Sequence, residues 1–556
     1  MQSTEQWSQK AVLLRRAGAL LLSLFALLFC MLPAAAKSSK KKLPLIIVNG
    51  MGESPLLLNQ GMPEEEIAFP PSQEKILQAV GEAAPYLLTE AAAGDVVGFA
   101  EKVGPIARAL FEDITFDPDG TPRHEIGQLK FPDSYAEDKT GKIDTLTHGG
   151  LARRYGADSA YQFVHDWRKP AREEAANLHA MIQRVLEEQG AQKVKIVAVS
   201  MGGAVLTAYL AQYGHAQIDQ VIMMSTVFRG LPVVGDLFNG RLTLESRALI
   251  RYIGQAMEGS DPWGALLTGL LGAFEKTGLL DWVLANAEAL AAAMMPVLNE
   301  KFLVPVFGQL PGFWELVPEG DYESAKASLL DPVIHKDLIA INDDFRYNVF
   351  DRVPQLIQAA RQDGVRVYIL SNYNLSSIPV GSHALLQSDD GLATVGTSGG
   401  AFCAPLDETL GEGYVQKIAD GHNHLSPDGI IDASTCLLPE QTWFTKDLHH
   451  VSFTGEDCLA FLLWLLETPG ECTVRSNLKY PQFMEYLPES DGLRPLGGGE
   501  TLHSASETLR AASPAQMPVP FFPATGDYRF FLPILLLFVG AFLCFFVFLR
   551  RERVKR

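Results

Sequence analysis

A chain of 556 residues has room for two or three domains, yet its motif spacing fits one elaborated α/β domain flanked by export and anchoring segments. With 65 acidic against 46 basic residues, the net charge of -19 argues against nucleic acid as a partner, and the 47% hydrophobic content excludes general disorder.

In chain order, Lys10, Arg15 and Arg16 precede an apolar run over residues 17–32, and Ala34, Ala35 and Ala36 form a small-residue cleavage site. Residues 1–36 therefore read as a signal peptide. Lys37, Lys40, Lys41 and Lys42 behind a long apolar run leave an uncleaved anchor as the alternative. Residues 37–486 are assigned to the main domain.

The apolar stretch 45–48 predicts a strand ending in Asn49, Gly50, Met51 and Gly52. A Gly-rich loop at a strand end can aim backbone N–H groups into a site, as an acyl-transfer enzyme needs for its oxyanion. The N–H groups of Met51 and Met201 are the expected donors, with a plain strand-to-loop turn as the other reading of residues 49–52. Helical pieces follow near residues 75–90 and 97–111, then a polar loop around 117–144, none of it with an evident chemistry.

Residues 171–189 place Leu178, Met181, Ile182, Val185 and Leu186 on one helical face, and Gly190 ends the helix. The stretch 194–213, "VKIVAVSMGGAVLTAYLAQY", is the centre of the chain. A nearly continuous apolar strand runs into Ser200, and Gly202, Gly203 and Ala204 let a helix start tight against it. This is the nucleophile elbow pattern G-x-S-x-G with Ala198 in place of the first glycine.

After a strand at 221–224 the strand–helix alternation stops between about 234 and 360. Apolar helical stretches around 263–274, 279–298 and 302–307 stand there, interrupted by Pro296, Pro305 and Pro311. Glu275, Asp281 and Glu288 argue against membrane spans, so a helical cap over the carboxyl ends of the strands is expected. Alternation returns at 351–362 and "VRVYILSNYN". Asp428 and Asp432 then stand in "HLSPDGIIDASTC", and His449 and His450 follow a strand-like stretch, 442–445.

A serine hydroxyl attacks an ester only if a base takes its proton as the bond forms, and histidine suits neutral pH. A carboxylate must orient the imidazole. Ser200, Asp428 and His450 supply the three roles in the α/β-hydrolase order. Asp432 is the alternative acid and His449 the alternative base. His422 and His424 look like a metal pair, but two loop histidines without an evident set of further ligands are expected to face solvent, so no metal and no cofactor is assigned. Of six cysteines, Cys403, Cys436, Cys458 and Cys472 lie in the main domain, and pairs Cys403–Cys436 and Cys458–Cys472 are expected in an exported protein; four free buried thiols are the alternative.

From residue 487 to 527 the composition turns to Gly, Ser, Pro, Ala and Glu, as in a flexible tether. Residues 528–549 are an apolar span of bilayer length, and the basic tail 550–556 would hold it on the cytoplasmic side. Just before it, Phe522, Pro523, Ala524, Thr525 and Gly526 resemble a sortase sorting signal with phenylalanine for leucine. That resemblance implies cleavage after Thr525 and attachment to peptidoglycan. Either this or a single-pass type I anchor puts the body on the extracellular face of the envelope.

Three pieces together resemble the lecithin:cholesterol acyltransferase family: "VNGMGES", the tripeptide Asp166-Trp167-Arg168, and "VSMGGA". "GQLPGFWELVP" is similar to that family's lid region, and "DGIID" and "HHV" fall where its acid and histidine would. The resemblance implies an α/β-hydrolase fold, with a mostly parallel sheet, helices on both faces and a helical cap at 234–360. It also implies an acyl-enzyme formed on serine from a lipid ester. Asp166, Trp167 and Arg168 read as a buried ion pair packed by an aromatic rather than as catalytic groups. The competing reading is a non-catalytic surface-binding protein on the same scaffold.

Overall fold

The computed structural model describes residues 42–86, 89–90, 95–128, 135, 148–256, 271–376, 379–389, 391–450 and 453–497. The expected signal peptide, the sorting motif, the C-terminal span and the basic tail lie outside these residues, as does the tether beyond residue 497.

Strands rich in branched apolar residues are stable only when covered on both faces. Those of this chain assemble accordingly. In chain order they are β1 (Leu45–Val48), β2 (Ala160–Phe163), β3 (Val194–Val199), β4 (Ile218–Met224), β5 (Arg366–Tyr373), β6 (Thr442–Lys446), β7 (Phe483–Leu487) and β8 (Gly492–Pro495). They form one sheet in the order β8-β7-β6-β5-β4-β3-β1-β2. All neighbours pair in parallel except β7 with β8, which are antiparallel. The fold is α/β with a mostly parallel sheet.

The principal helices are α1 (Val96–Ala109), α2 (Gly149–Tyr155), α3 (Ala171–Gln189), α4 (Gly202–Tyr213), α5 (Leu279–Leu298), α6 (Val353–Gln362) and α7 (Glu456–Glu467). Strand alternation sorts the sheet between them. Ile46, Val48, Ile196, Ala198, Val221, Met223, Val367 and Ile369 pack with α3, α4 and α6 on one face. Leu45, Ile47, Val197, Val199, Ile222, Met224, Tyr368 and Leu370 pack with α2 and α7 on the other.

Two boundaries differ from the sequence reading. The sheet continues through β8 to Pro495, so folded structure extends into the stretch assigned to the tether, because the Gly-rich composition there hides one apolar strand edge, Leu493. At the other boundary, Phe345, Val349, Phe350 and Val353 already belong to the core beneath the sheet, so the cap gives way to the crossover toward α6 before residue 360.

Phe238, Leu303, Val306, Leu310, Trp314 and Val317, from the segment expected to form the cap, share one apolar cluster with Leu56, Phe116, Trp167 and Met201 of the body. Helix α5 runs on into a π-helix, Asn299–Gly308, where Pro305 interrupts ordinary helical bonding. Residues Leu284–Gly308 have the length and the mean hydropathy, 1.4, to cross a bilayer, and α5 packs against α1 within the protein.

The expected disulfides are absent: Cys403, Cys436, Cys458 and Cys472 are all free thiols. Each expected pair shares an apolar cluster without a bond. Burial pushes the thiols of Cys403 and Cys458 up to about 12.

Candidate active site

Ser200 occupies the corner between β3 and α4 with φ of 50°, a left-handed conformation that a serine adopts only when its surroundings impose it. Its N–H donates to the Met224 carbonyl at 3.0 Å, and its own carbonyl accepts from Gly203 N–H at 3.1 Å and Val227 N–H at 3.3 Å. The corner is thus held from both sides. A Cβ on Gly202 would stand 2.6 Å from the Val48 carbonyl oxygen and 2.7 Å from that of Asn49, so only glycine lets α4 begin this close to β1. Ala198 fits in place of the pattern's first glycine because its methyl points into the core beneath α4.

The loop after β1 passes directly beside the serine. A Cβ on Gly50 would lie 3.0 Å from Ser200 Cβ and 3.6 Å from its Oγ. The loop that carries Met51 and the first turn of α4, behind Met201, therefore both adjoin Ser200, and the first N–H groups of a helix have no intrahelical acceptor. Asn49 accepts from the buried Gln162 side chain and donates its N–H to the Phe163 carbonyl, fixing the loop to β2. His165, which follows β2, is pushed down to about 4 by burial and is neutral.

The carboxylate at His450 is Asp389. Its Oδ2 stands 3.3 Å from His450 Nδ1, and the two side chains are fully buried. The same Oδ2 accepts from Ser225 Oγ at 2.8 Å. Ser225, just after β4, has φ of 45° and donates its N–H to the Leu370 carbonyl, so it too is a fixed corner, one residue beyond the Met224 that holds Ser200. Asp389 itself lies in a two-residue strand, Ser388–Asp389, paired with Leu392–Ala393 behind β5.

Asp428 and Asp432, the acids expected from sequence, are committed elsewhere. Asp428 accepts from Tyr373 at 2.9 Å, Lys446 at 3.1 Å and Ser426 at 2.6 Å. Asp432 caps a short helical turn through Ser434 N–H and accepts from Tyr414 Oη and Lys417 N–H. His449 is partly exposed whereas His450 is 1% exposed, and it is His450 that meets the carboxylate. The sequence held one signal for Asp389. In "QSDDGLATVG", Gly391, with φ of 96°, stands between the short paired strands Ser388–Asp389 and Leu392–Ala393 shortly after β5.

Comparison with known proteins gives neighbours in structure only. No protein-family model matches the chain, and no curated protein matches it. Among solved structures it is similar to the Tle4–Tli4 complex, at 12% identity over 60% of this chain and 75% of that one, with a TM-score of 0.23. It is also similar to a proposed aryl esterase from Burkholderia cenocepacia, at 16% identity over 35% of this chain and 69% of that one, with a TM-score of 0.12.

Asp166, Trp167 and Arg168 form the platform on which the cap rests. The Arg168 guanidinium grips Asp166 through two bonds, Nε to Oδ1 at 2.9 Å and Nη2 to Oδ2 at 2.7 Å, and lies over the Phe116 ring. Trp167 meets Phe69 edge-on and packs near Phe313 of the cap. Gly312 N–H donates to the Arg168 carbonyl at 3.0 Å, and a Cβ on Gly312 would stand 2.0 Å from the Trp167 carbonyl oxygen. Glu315 closes the junction by accepting from Ala171 N–H at 2.6 Å. Met201 and Trp167 share one apolar cluster with Leu310 and Trp314, so the cap covers the residue next to the serine.

A second tie runs from the cap to the segment that carries Asp389. Asp236 binds His383 Nδ1 at 2.7 Å, Arg241 Nε at 2.7 Å and Ser382 Oγ at 2.8 Å. Burial alone would raise its pKa, but the hydrogen bonds from His383, Arg241 and Ser382 outweigh burial and hold it at about 2.

Proposed function

We propose that this chain is a serine hydrolase that cleaves or transfers the acyl group of a carboxylic ester through an acyl-enzyme on Ser200. The observation that carries the reading is a strained serine corner at the end of β3, with a buried histidine–carboxylate pair joined to the neighbouring corner at Ser225. In this reading His450 takes the Ser200 proton as Oγ attacks the carbonyl carbon, and Asp389 holds the imidazole and stabilises its charged form. The N–H groups of Met51 and Met201 receive the negative charge on the tetrahedral oxygen. His450 then gives its proton to the leaving alcohol, and a second alcohol or water releases the acyl group by the same steps reversed.

Two features support a lipid ester. The resemblance to the lecithin:cholesterol acyltransferase family implies one, and an apolar cap cluster reaches Met201 beside the nucleophile. Ser200 is 6% exposed, so a long acyl chain enters only when the cap moves. We extend the proposal to location: the apolar ends of the chain and the sorting-type motif at 522–526 support an exported protein held at the outer face of the envelope, with sortase and peptidoglycan as partners.

Treating the purified protein with a fluorophosphonate and mapping the adduct tests the enzyme reading. Labelling confined to Ser200, lost in His450→Ala, is expected. Equal labelling of Ser200→Ala would leave only a binding scaffold.

A further inference from the structure

The loop between the short paired strands Phe402–Cys403 and Ile431–Asp432 carries Asp420, His422 and His424, and these meet Glu440, which follows the second strand. One ligand atom from each lies within 4.8 Å of every other. We propose that these four residues form a zinc site that staples the loop to the start of β6, independently of the hydrolase reading.

The decisive residue is His424, which sequence had placed at the surface and which is fully buried. Its Nδ1 faces Gln482 Oε1 at 2.8 Å. The Gln482 amide cannot be turned round, because its Nε2 donates to the Pro439 carbonyl at 2.7 Å and the Thr442 carbonyl at 3.2 Å. Oε1 is therefore the acceptor, and Nδ1 of His424 carries the proton. In the neutral ring Nε2 is then a bare lone pair, and it points at two carboxylates, 2.9 Å from Asp420 Oδ2 and 3.4 Å from Glu440 Oε1. These three atoms and His422 converge at the edge of the fold, with His424 buried beneath the exposed Asp420 and His422, an arrangement that can receive a cation. His422 Nδ1 adds a fourth donor, 3.3 Å from Glu440 Oε1.

Zinc binds imidazole nitrogen and carboxylate oxygen at about 2.0–2.2 Å in a tetrahedron, which separates neighbouring donors by roughly 3.3–3.5 Å. The separations of Glu440 Oε1 from His424 Nε2 and His422 Nδ1, 3.4 and 3.3 Å, match the ion's, while Asp420 Oδ2, at 2.9 Å from His424 Nε2, would move outward by about half an ångström to bind it. Two nitrogens with two oxygens suit zinc better than calcium or magnesium, which prefer oxygen alone. Arg475 also reaches Glu440 Oε1, the oxygen that faces both histidines, and Glu440 Oε2, shielded from solvent, has no hydrogen-bond partner among the described residues. The outer contacts are those of a held site: Gln482 orients His424, Gln416 Oε1 accepts from His424 N–H at 2.7 Å, and Asp420 Oδ1 accepts from His422 N–H at 2.9 Å.

Four protein donors leave no open position, so the ion's role is structural. It would tie the loop to Glu440, just ahead of the strand that leads to His450.

The test is zinc titration of the chelator-stripped full chain, monitored by competition with a chromophoric chelator and by the visible absorption of the cobalt-substituted protein. One equivalent of zinc, tetrahedral cobalt bands, and binding weakened at least ~10-fold in both His422→Ala and Asp420→Asn are expected. Both side chains are accessible enough for the variants to fold, which circular dichroism verifies. Absence of stoichiometric zinc, or unchanged affinity in the two folded variants, would overturn the proposal and leave His424 held only by its contacts with Asp420 and Gln482.

Discussion

Asp389 meets His450 across 3.3 Å of fully buried space, and Ser225 binds the same carboxylate oxygen from the end of the neighbouring strand. The relationship makes one acid, rather than three, accountable for the imidazole. Asp389→Asn is expected to lower kcat by about 10⁴, the loss seen when a triad carboxylate becomes an amide. Asp428→Asn, which faces Tyr373 and Lys446, should leave kcat within a few-fold of the parent. Steady-state hydrolysis of a chromogenic ester by the two variants decides the matter, and the reverse ranking would return the acid to the later loop.

Ser225→Ala removes the second hydrogen bond to that carboxylate without touching the serine corner. A bond to a charged group contributes on the order of 1.5–3 kcal/mol. The expected result is a kcat loss of about ten-fold or more with a displaced pH profile, while KM stays near the parent value. A changed KM with unaltered kcat would show that Ser225 serves only the fold.

The ion pair in the cap platform yields a stability prediction. Arg168 is 1% exposed and committed to Asp166, so Arg168→Ala leaves a carboxylate buried without its partner. Such losses cost about 3–5 kcal/mol. Urea unfolding should show a midpoint lowered accordingly, with the remaining folded fraction still labelled at Ser200. Loss of labelling without loss of stability would instead make the motif catalytic.

The parts of this architecture that sequence revealed are those written in local pattern. The strand at 194–199, its glycines and the helix behind it follow from burial on both faces and from close approach of backbones, and they lie where expected. His450 follows a short strand of regular composition, and the structure pairs it with Asp389. Asp389 was not legible, because its strand is two residues long and its position depends on contacts with Ser225 and Leu375 that sequence separation conceals. Asp428 stood in a better-looking motif, yet its carboxylate is taken up by Tyr373, Ser426 and Lys446. His424 misled for the same reason, since Gln482 and Glu440, which contact it, arrive from later in the chain.

Gly312 marks where the cap touches the body. Alanine there would set a methyl 2.0 Å from the Trp167 carbonyl oxygen, a rigid backbone atom. Gly312→Ala is expected to unseat the cap, with limited proteolysis accelerating within residues 232–338 and fluorophosphonate labelling of Ser200 becoming faster. Unchanged cleavage and labelling would show that the contact does not hold the cap down.

The same junction should respond to pH through Glu315. Burial pushes its carboxyl up to about 8, against an ordinary value of 4.5, although the Ala171 N–H bond favours the ionised form. The folded protein therefore retains a proton that the unfolded chain releases, and the stability this contributes is full below about 4.5, declines as pH rises, and is gone above about 8. Glu174, raised to about 7 by burial, slopes in the same direction. Glu315→Gln keeps an oxygen to accept from Ala171 N–H but cannot ionise. It should therefore flatten much of the loss of unfolding free energy between mildly acidic and mildly alkaline buffer, measured by urea titration at each pH, and should make the variant the more stable protein at the alkaline end. A slope identical to the parent's would mean that the carboxyl is ionised in the folded state and that the cap junction tolerates its charge.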